Sequence, residues 1–163
     1  GSLLDVGVHL LYISELLTPD SKLNYIKLNN YENKFYDEDG IIVLDKKKIE
    51  TQLRFSFINW QNSFNINIIG QTGILKWEGL SKWKNQKLTH MKRVFPSGPP
   101  KIIFQKKFFK DNSFKNELNF VYDLLKRPRL INKRNYWDFM IFFKIKKILK
   151  LKYKDHPYLK KNV

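Results

Sequence analysis

The strongest constraint on the fold is a run of strict alternation in the middle of the chain. Ile49, Thr51, Leu53, Phe55 and Phe57 alternate with Glu50, Gln52, Arg54 and Ser56. A two-residue period puts one set on a buried face and the other in water, so the segment reads as a strand of about ten residues. After a polar break Phe64, Ile66 and Ile68 repeat the pattern, and Gly70-Gln71-Thr72-Gly73 makes a tight loop before a further strand at residues 74–77. Strands joined by such short turns form an antiparallel meander.

Further strands are expected at residues 23–28, 41–44, 88–95 and 102–109, separated by Asn, Gly or Pro breaks. Helices flank this region. In residues 3–17, Leu4, Val8 and Leu11 mark one helical stripe and Val6, Leu10, Ile13 and Leu17 a second, before Thr18-Pro19-Asp20 ends the pattern. Ser113 is a candidate N-cap for a helix carrying Phe114, Leu118, Val121 and Leu125, which Arg127-Pro128 stops. A third helix is expected over residues 136–150, apolar early and lysine-rich late, which suits the negative end of its dipole. The pattern predicts an α+β fold: a predominantly antiparallel sheet of about six strands with helices packed on one face.

A chain of 163 residues, 42% apolar, can bury one sizeable core. A single domain over residues 1–151 is therefore expected, with residues 152–163 as a basic tail. Cysteine is absent, which excludes disulfides, thiolate metal sites and cysteine nucleophiles. The opening apolar stretch is broken by Asp5, His9 and Glu15 and has no basic leader, so it does not read as a signal peptide. A cytoplasmic location is the expectation. The 31 Lys+Arg against 15 Asp+Glu give a net charge of +16, which would draw the chain to nucleic acid, anionic lipid or a phosphorylated substrate. The excess is mostly Lys and travels with Asn, Ile, Phe and Tyr, as coding DNA rich in A and T would also produce.

Asp5, His9 and Tyr12 interrupt the apolar first helix at spacing i, i+4, i+7 and so emerge on one face. A carboxylate one turn from an imidazole can set its tautomer and basicity for proton transfer. The structural alternative is that Asp5 caps the helix start and His9 is satisfied within the core.

The run Gly1-Ser2-Leu3-Leu4-Asp5-Val6-Gly7-Val8-His9 resembles the Gly-Gly-x-Leu-x-Asp-x-Gly-x-His segment of the Gfo/Idh/MocA oxidoreductase family, with Ser2 at the second Gly position. The similarity continues through Glu38-Asp39 before a strand, Phe55-Ser56-Phe57, the meander closed by Gly70 and Gly73, Gly79-Leu80, Pro96-Ser97-Gly98-Pro99-Pro100, and residues 113–120, covering residues 1–126. It implies the C-terminal, substrate-side domain of an NAD(P)-dependent enzyme acting on a sugar, nucleotide-sugar or polyol. It also implies His9 as proton donor or acceptor at the substrate hydroxyl, Asp5 orienting it or binding substrate, Tyr12 in the substrate site, and a homo-oligomer built through the sheet. The family's other half is a Rossmann domain carrying Gly-x-Gly-x-x-Gly and Glu-Lys-Pro. Neither occurs here. The N-terminal Rossmann domain is thus expected to be absent, to come from a missing segment or a partner chain, and the chain alone is expected to bind no NAD(P) and to be inactive.

Other features carry less. Gly70-Gln71-Thr72-Gly73 lacks a following Lys and helix and reads as a hairpin turn. His90 and His156 lie far apart with no Cys, so no metal site is expected. Trp60, Trp77, Trp83 and Trp137 fill cores and interfaces more often than they stack on sugars or bases. The third helix is too charged to span a membrane and would suit the surface of an anionic bilayer. A basic module for nucleic acid or anionic membrane, or a decayed non-enzymatic fragment, are the competing readings.

Overall fold

Where apolar residues alternate on three successive strands, the chain closes its hydrophobic core. The computed structural model describes residues 1–32, 35–80 and 86–152, with the side chains of 129–134 and 152 left aside. The chain divides into two compact units, Gly1–Trp60 with Arg127–Val163, and Gln61–Lys126.

The first unit runs from a π-helical turn, Leu3–Gly7, into α1 (Val8–Leu17), then β1 (Lys22–Asn29), β2 (Asp39–Lys46) and β3 (Ile49–Ser56). Helix α3 (Arg129–Lys152) returns to the same unit. The sheet is antiparallel in the order β1-β2-β3. Its register sets Ile42 between Ile26 and Leu53, and Gly40 between Leu28 and Phe55, so these residues share one face. Against that face pack Leu3 and Leu11 from the N-terminal helix and Ile141 and Ile148 from α3. All eight buried apolar side chains of the described residues, completed by Leu44, belong to this unit. Phe55 shapes its centre. A Cβ on Gly40 would fall 2.6 Å from the Phe55 ring, and one on Gly7 would fall 3.1 Å from it, so glycine at both positions lets the ring seat between helix and sheet.

A buried ion pair fastens the helices. Lys144 of α3 binds Glu15 of α1, and the lysine also reaches Ser21 Oγ at 3.3 Å. The other Glu15 oxygen accepts the Asp20 N–H at 2.8 Å, in the left-handed turn that leads to β1.

The second unit is an antiparallel sheet, β4 (Asn65–Ile69), β5 (Gly73–Glu78), β6 (Gln86–Lys92) and β7 (Lys101–Phe108), hydrogen-bonded in that order, followed by α2 (Ser113–Lys126). One face carries the rows Ile66, Trp77, Leu88, Lys106 and Ile68, Leu75, His90, Phe104. The opposite face is polar where Glu78 bridges Lys76 and Lys87, each at 2.9 Å. Glu78 is held below its ordinary value of 4.5 by hydrogen bonds from Lys87 and then Lys76, helped by their charge.

The α+β class is as the sequence implied, and the seven strands of the described residues form sheets of three and four rather than one of about six. Helix α3 begins seven residues before the expected 136, at Arg129, directly after Pro128. Proline both stops the preceding helix and suits the start of the next. Helix α2 does start at Ser113, but Asp111 supplies the cap: its carboxylate accepts the Ser113 N–H at 2.9 Å and hydroxyl at 2.6 Å. These bonds lower the Asp111 pKa, the hydroxyl bond most. The expected basic tail lies, from residue 153 onward, outside the described residues.

Candidate functional site

The N-terminal helix has two unlike sides. Leu3, Gly7, Leu11 and Ser14 recur at helical spacing and are buried, so they fix the side that meets the sheet. Its start is pinned from afar. Buried Asp37 accepts the Ser2 hydroxyl at 2.7 Å and the Leu3 N–H at 2.6 Å on one carboxylate oxygen, while its carbonyl accepts the Ser2 N–H at 2.8 Å. A carboxylate on free N–H groups at a helix start is doubly favoured, by hydrogen bonding and by the helix dipole. The cap is therefore Asp37, thirty-four positions from Leu3 in the chain.

Freed of capping, Asp5 is exposed, and so is His9. The structural alternative, Asp5 as cap and His9 in the core, is excluded by both positions. Between them the backbone widens: the Val8 N–H donates to Leu3 O, five residues back, which defines the π turn. Such turns are uncommon and recur at functional sites, where they redirect the side chains that follow. Gly7 stands inside the turn because of its close approach to Phe55.

Tyr12, expected in the substrate site, is half-buried, and its hydroxyl donates to Asp138 Oδ1 of α3 at 2.5 Å. Asp5 and His9 are not joined to each other by a hydrogen bond or ion pair among the described residues. A surface cleft runs between Asp20 and Lys47 and another lies around Gly70 and Met91; neither includes Asp5 or His9. The pair thus sits on an open helix face, accessible to a ligand and short of a second wall.

The remaining sequence candidates find structural places. The Gly70–Gly73 segment is a hairpin loop closed by Gly70 N–H to Gly73 O at 2.9 Å. A Cβ on Gly73 would meet Met91 O at 2.3 Å, which accounts for that glycine without a phosphate. Trp77 donates its indole N–H to Gly79 O at 3.1 Å and stacks on Phe108 with centroids 5.8 Å apart. Trp60 is fully exposed and Trp137 half-buried. His90 is exposed on β6, and the described residues contain no group of three metal-ligating side chains. Trp83 and His156 lie outside the described residues.

Sequence reasoning missed Asp37 and Asp138. Asp138 had a signal, being the lone acid in residues 124–152. Asp37 had none, because its partners are distant in the chain.

No family model matches the chain, and no curated protein matches it. A solved structure does: KijD10, a 3-ketoreductase from Actinomadura kijaniata in complex with TDP-benzene and NADP, at TM-score 0.60 and 16% identity over 77% of this chain. The likeness is to the fold of an oxidoreductase domain. This chain spans 39% of that neighbour's length.

Proposed function

We propose that the chain is the substrate-side part of an NAD(P)-dependent oxidoreductase of the Gfo/Idh/MocA kind, acting on a hydroxyl or carbonyl of a sugar or nucleotide-sugar. The observation that carries this reading is the open placement of His9 one turn beyond Asp5, just after a π turn, on the helix side turned away from the sheet. The fold likeness to a ketoreductase holding NADP and a TDP compound supports the same reading. Here His9 gives a proton to the substrate oxygen as a carbonyl is reduced, or takes it as a hydroxyl is oxidised. Asp5 orients the imidazole or binds a sugar hydroxyl. Tyr12, held by Asp138, borders the substrate.

The residues present do not fit a dinucleotide. No Gly-x-Gly-x-x-Gly occurs, and the Gly70–Gly73 loop is closed into a hairpin with no helix behind it. The nicotinamide chemistry belongs to a Rossmann domain from another segment or a partner chain, which would also wall the face bearing His9. Exposed apolar residues on the second sheet, among them Ile69, Ile102 and Phe104, favour assembly of like chains through that sheet.

The test is a histidine NMR titration with a TDP-sugar. Its addition is expected to move the His9 ring signals and leave those of His90 in place, with the shift lost in Asp5→Ala. An unmoved His9 at saturating ligand defeats the assignment. NADPH alone is expected to leave all three histidines unmoved.

A further inference from the structure

Helix α3 has an outer face that the proposed chemistry does not use. Ile141 and Ile148 turn inward to the core, with Ile145 and Leu149 packed against it. Tyr136, Phe139, Phe142 and Phe143 lie on the other side, between 47% and 60% exposed, followed by exposed Lys146, Lys147 and Lys150. At helical spacing these seven share one face, and at 1.5 Å per residue they form a row about 21 Å long. The aromatic half is a cluster in its own right: Phe143 meets Phe139 edge-on at 4.3 Å and Phe142 at 6.1 Å between centroids. No acid interrupts the row. Asp138, the lone carboxylate of α3, is half-buried and taken by Tyr12.

We infer that this face docks on the surface of an anionic lipid bilayer, the helix lying in the plane of the headgroups. An aromatic patch in water is unfavourable, and a row of lysines beside it attracts negative charge. A bilayer surface offers both at once, phosphates for the ammonium groups and the acyl boundary for the phenyl rings. A second copy of the chain meets the aromatic half but brings the same lysines, on a molecule with net charge +16. Nucleic acid satisfies the lysines and leaves three neighbouring Phe rings, which carry no donor or acceptor, at its backbone. The helix does not cross the membrane: no helix among the described residues is long and apolar enough. This docking is independent of the role given to His9.

The experiment is flotation of the full chain with phosphatidylcholine vesicles, with and without phosphatidylserine. Binding is expected only when phosphatidylserine is present and is expected to weaken as salt rises. Each surface lysine contributes roughly fivefold, so K146E/K147E/K150E, which removes three positive charges and adds three negative ones, is expected to lower the partition coefficient by more than about 100-fold. F139S/F142S is expected to abolish flotation while circular dichroism stays unchanged. Phe142→Ser alone, at the most exposed of the four rings, is the milder variant if the double one unfolds. Three results overturn the proposal: no flotation with phosphatidylserine; flotation indifferent to the Phe substitutions; or retention of a dimer in sedimentation that F139S/F142S dissolves. Tighter binding to duplex DNA than to the vesicles, unaffected by the Phe substitutions, also overturns it and assigns the lysines to nucleic acid.

Discussion

Glu15→Gln is expected to be among the most damaging single-atom changes available in the first unit. The glutamate side chain is 4% exposed and its partner Lys144 is 11% exposed. The amide keeps the shape and still accepts the Asp20 N–H, so the change isolates the charge. It leaves a buried ammonium with Ser21 Oγ at 3.3 Å and a neutral amide as its neighbours. Breaking one side of a buried pair costs about 3–5 kcal/mol. For a unit of this size each kcal/mol lowers Tm by roughly 4–8 °C, so the fall is expected to be at least about 12 °C. Thermal unfolding followed by circular dichroism reads it directly. Adding Lys144→Met removes the stranded charge, and the double variant is expected to recover much of the loss, since an apolar replacement of a buried pair is often neutral. Two outcomes refute the reasoning: a Glu15→Gln protein within about 2 °C of the parent, well short of the fall expected for a buried charge, or a double variant no better than the sum of the singles.

Gly7→Ala is expected to destabilise despite alanine's helix advantage of about 1 kcal/mol. Its Cβ would lie 3.1 Å from a Phe55 ring that Gly40 already confines, so a higher Tm would refute the packing account. Phe104→Lys, in the exposed apolar row of the second sheet, is expected to shift a dimer or larger assembly to monomer in analytical ultracentrifugation; a parent chain that is monomeric at high concentration refutes assembly through that sheet. The lowered pKa of Asp111 means its cap contributes stability above the ordinary value of 3.8, lost as pH falls through the depressed folded value. The amide protection of Ser113 is expected to drop over that acidic range, and Asp111→Asn to flatten the pH dependence.

Strand positions were legible because alternation is local: the patterns at residues 49–57 and 64–68 need only their own side chains. How strands group was not. Periodicity finds a strand without naming its neighbour, and the break between Phe57 and Phe64 looks like any other turn, although the chain changes sheet there. Residues 129–135 lack an apolar stripe, so periodicity does not reveal the first two turns of α3, which follow directly on Pro128. Asp5 and His9 were visible as polar interruptions of an apolar helix. That Asp5 is not the cap depends on Asp37, a contact between segments that no spacing rule reaches.

The N-terminal helix divides its duties by side, and that division bears on the proposed chemistry. A catalytic imidazole must hold its place to within about half an ångström, which calls for a rigid support. Gly7 against Phe55, Asp37 at the helix start and the Glu15–Lys144 pair supply one, at three separate points along the helix. The first two lie on the sheet side and at the helix start, the third ties the helix to α3, and all three leave Asp5 and His9 exposed. A helix so firmly held, with its polar pair turned outward, is built to present those residues to something else. On the reading proposed here that something is a sugar closed in by a cofactor-bearing domain. His9→Ala should then change neither Tm nor fold while abolishing the response to a TDP-sugar. An unfolded His9→Ala protein would return the imidazole to a structural role.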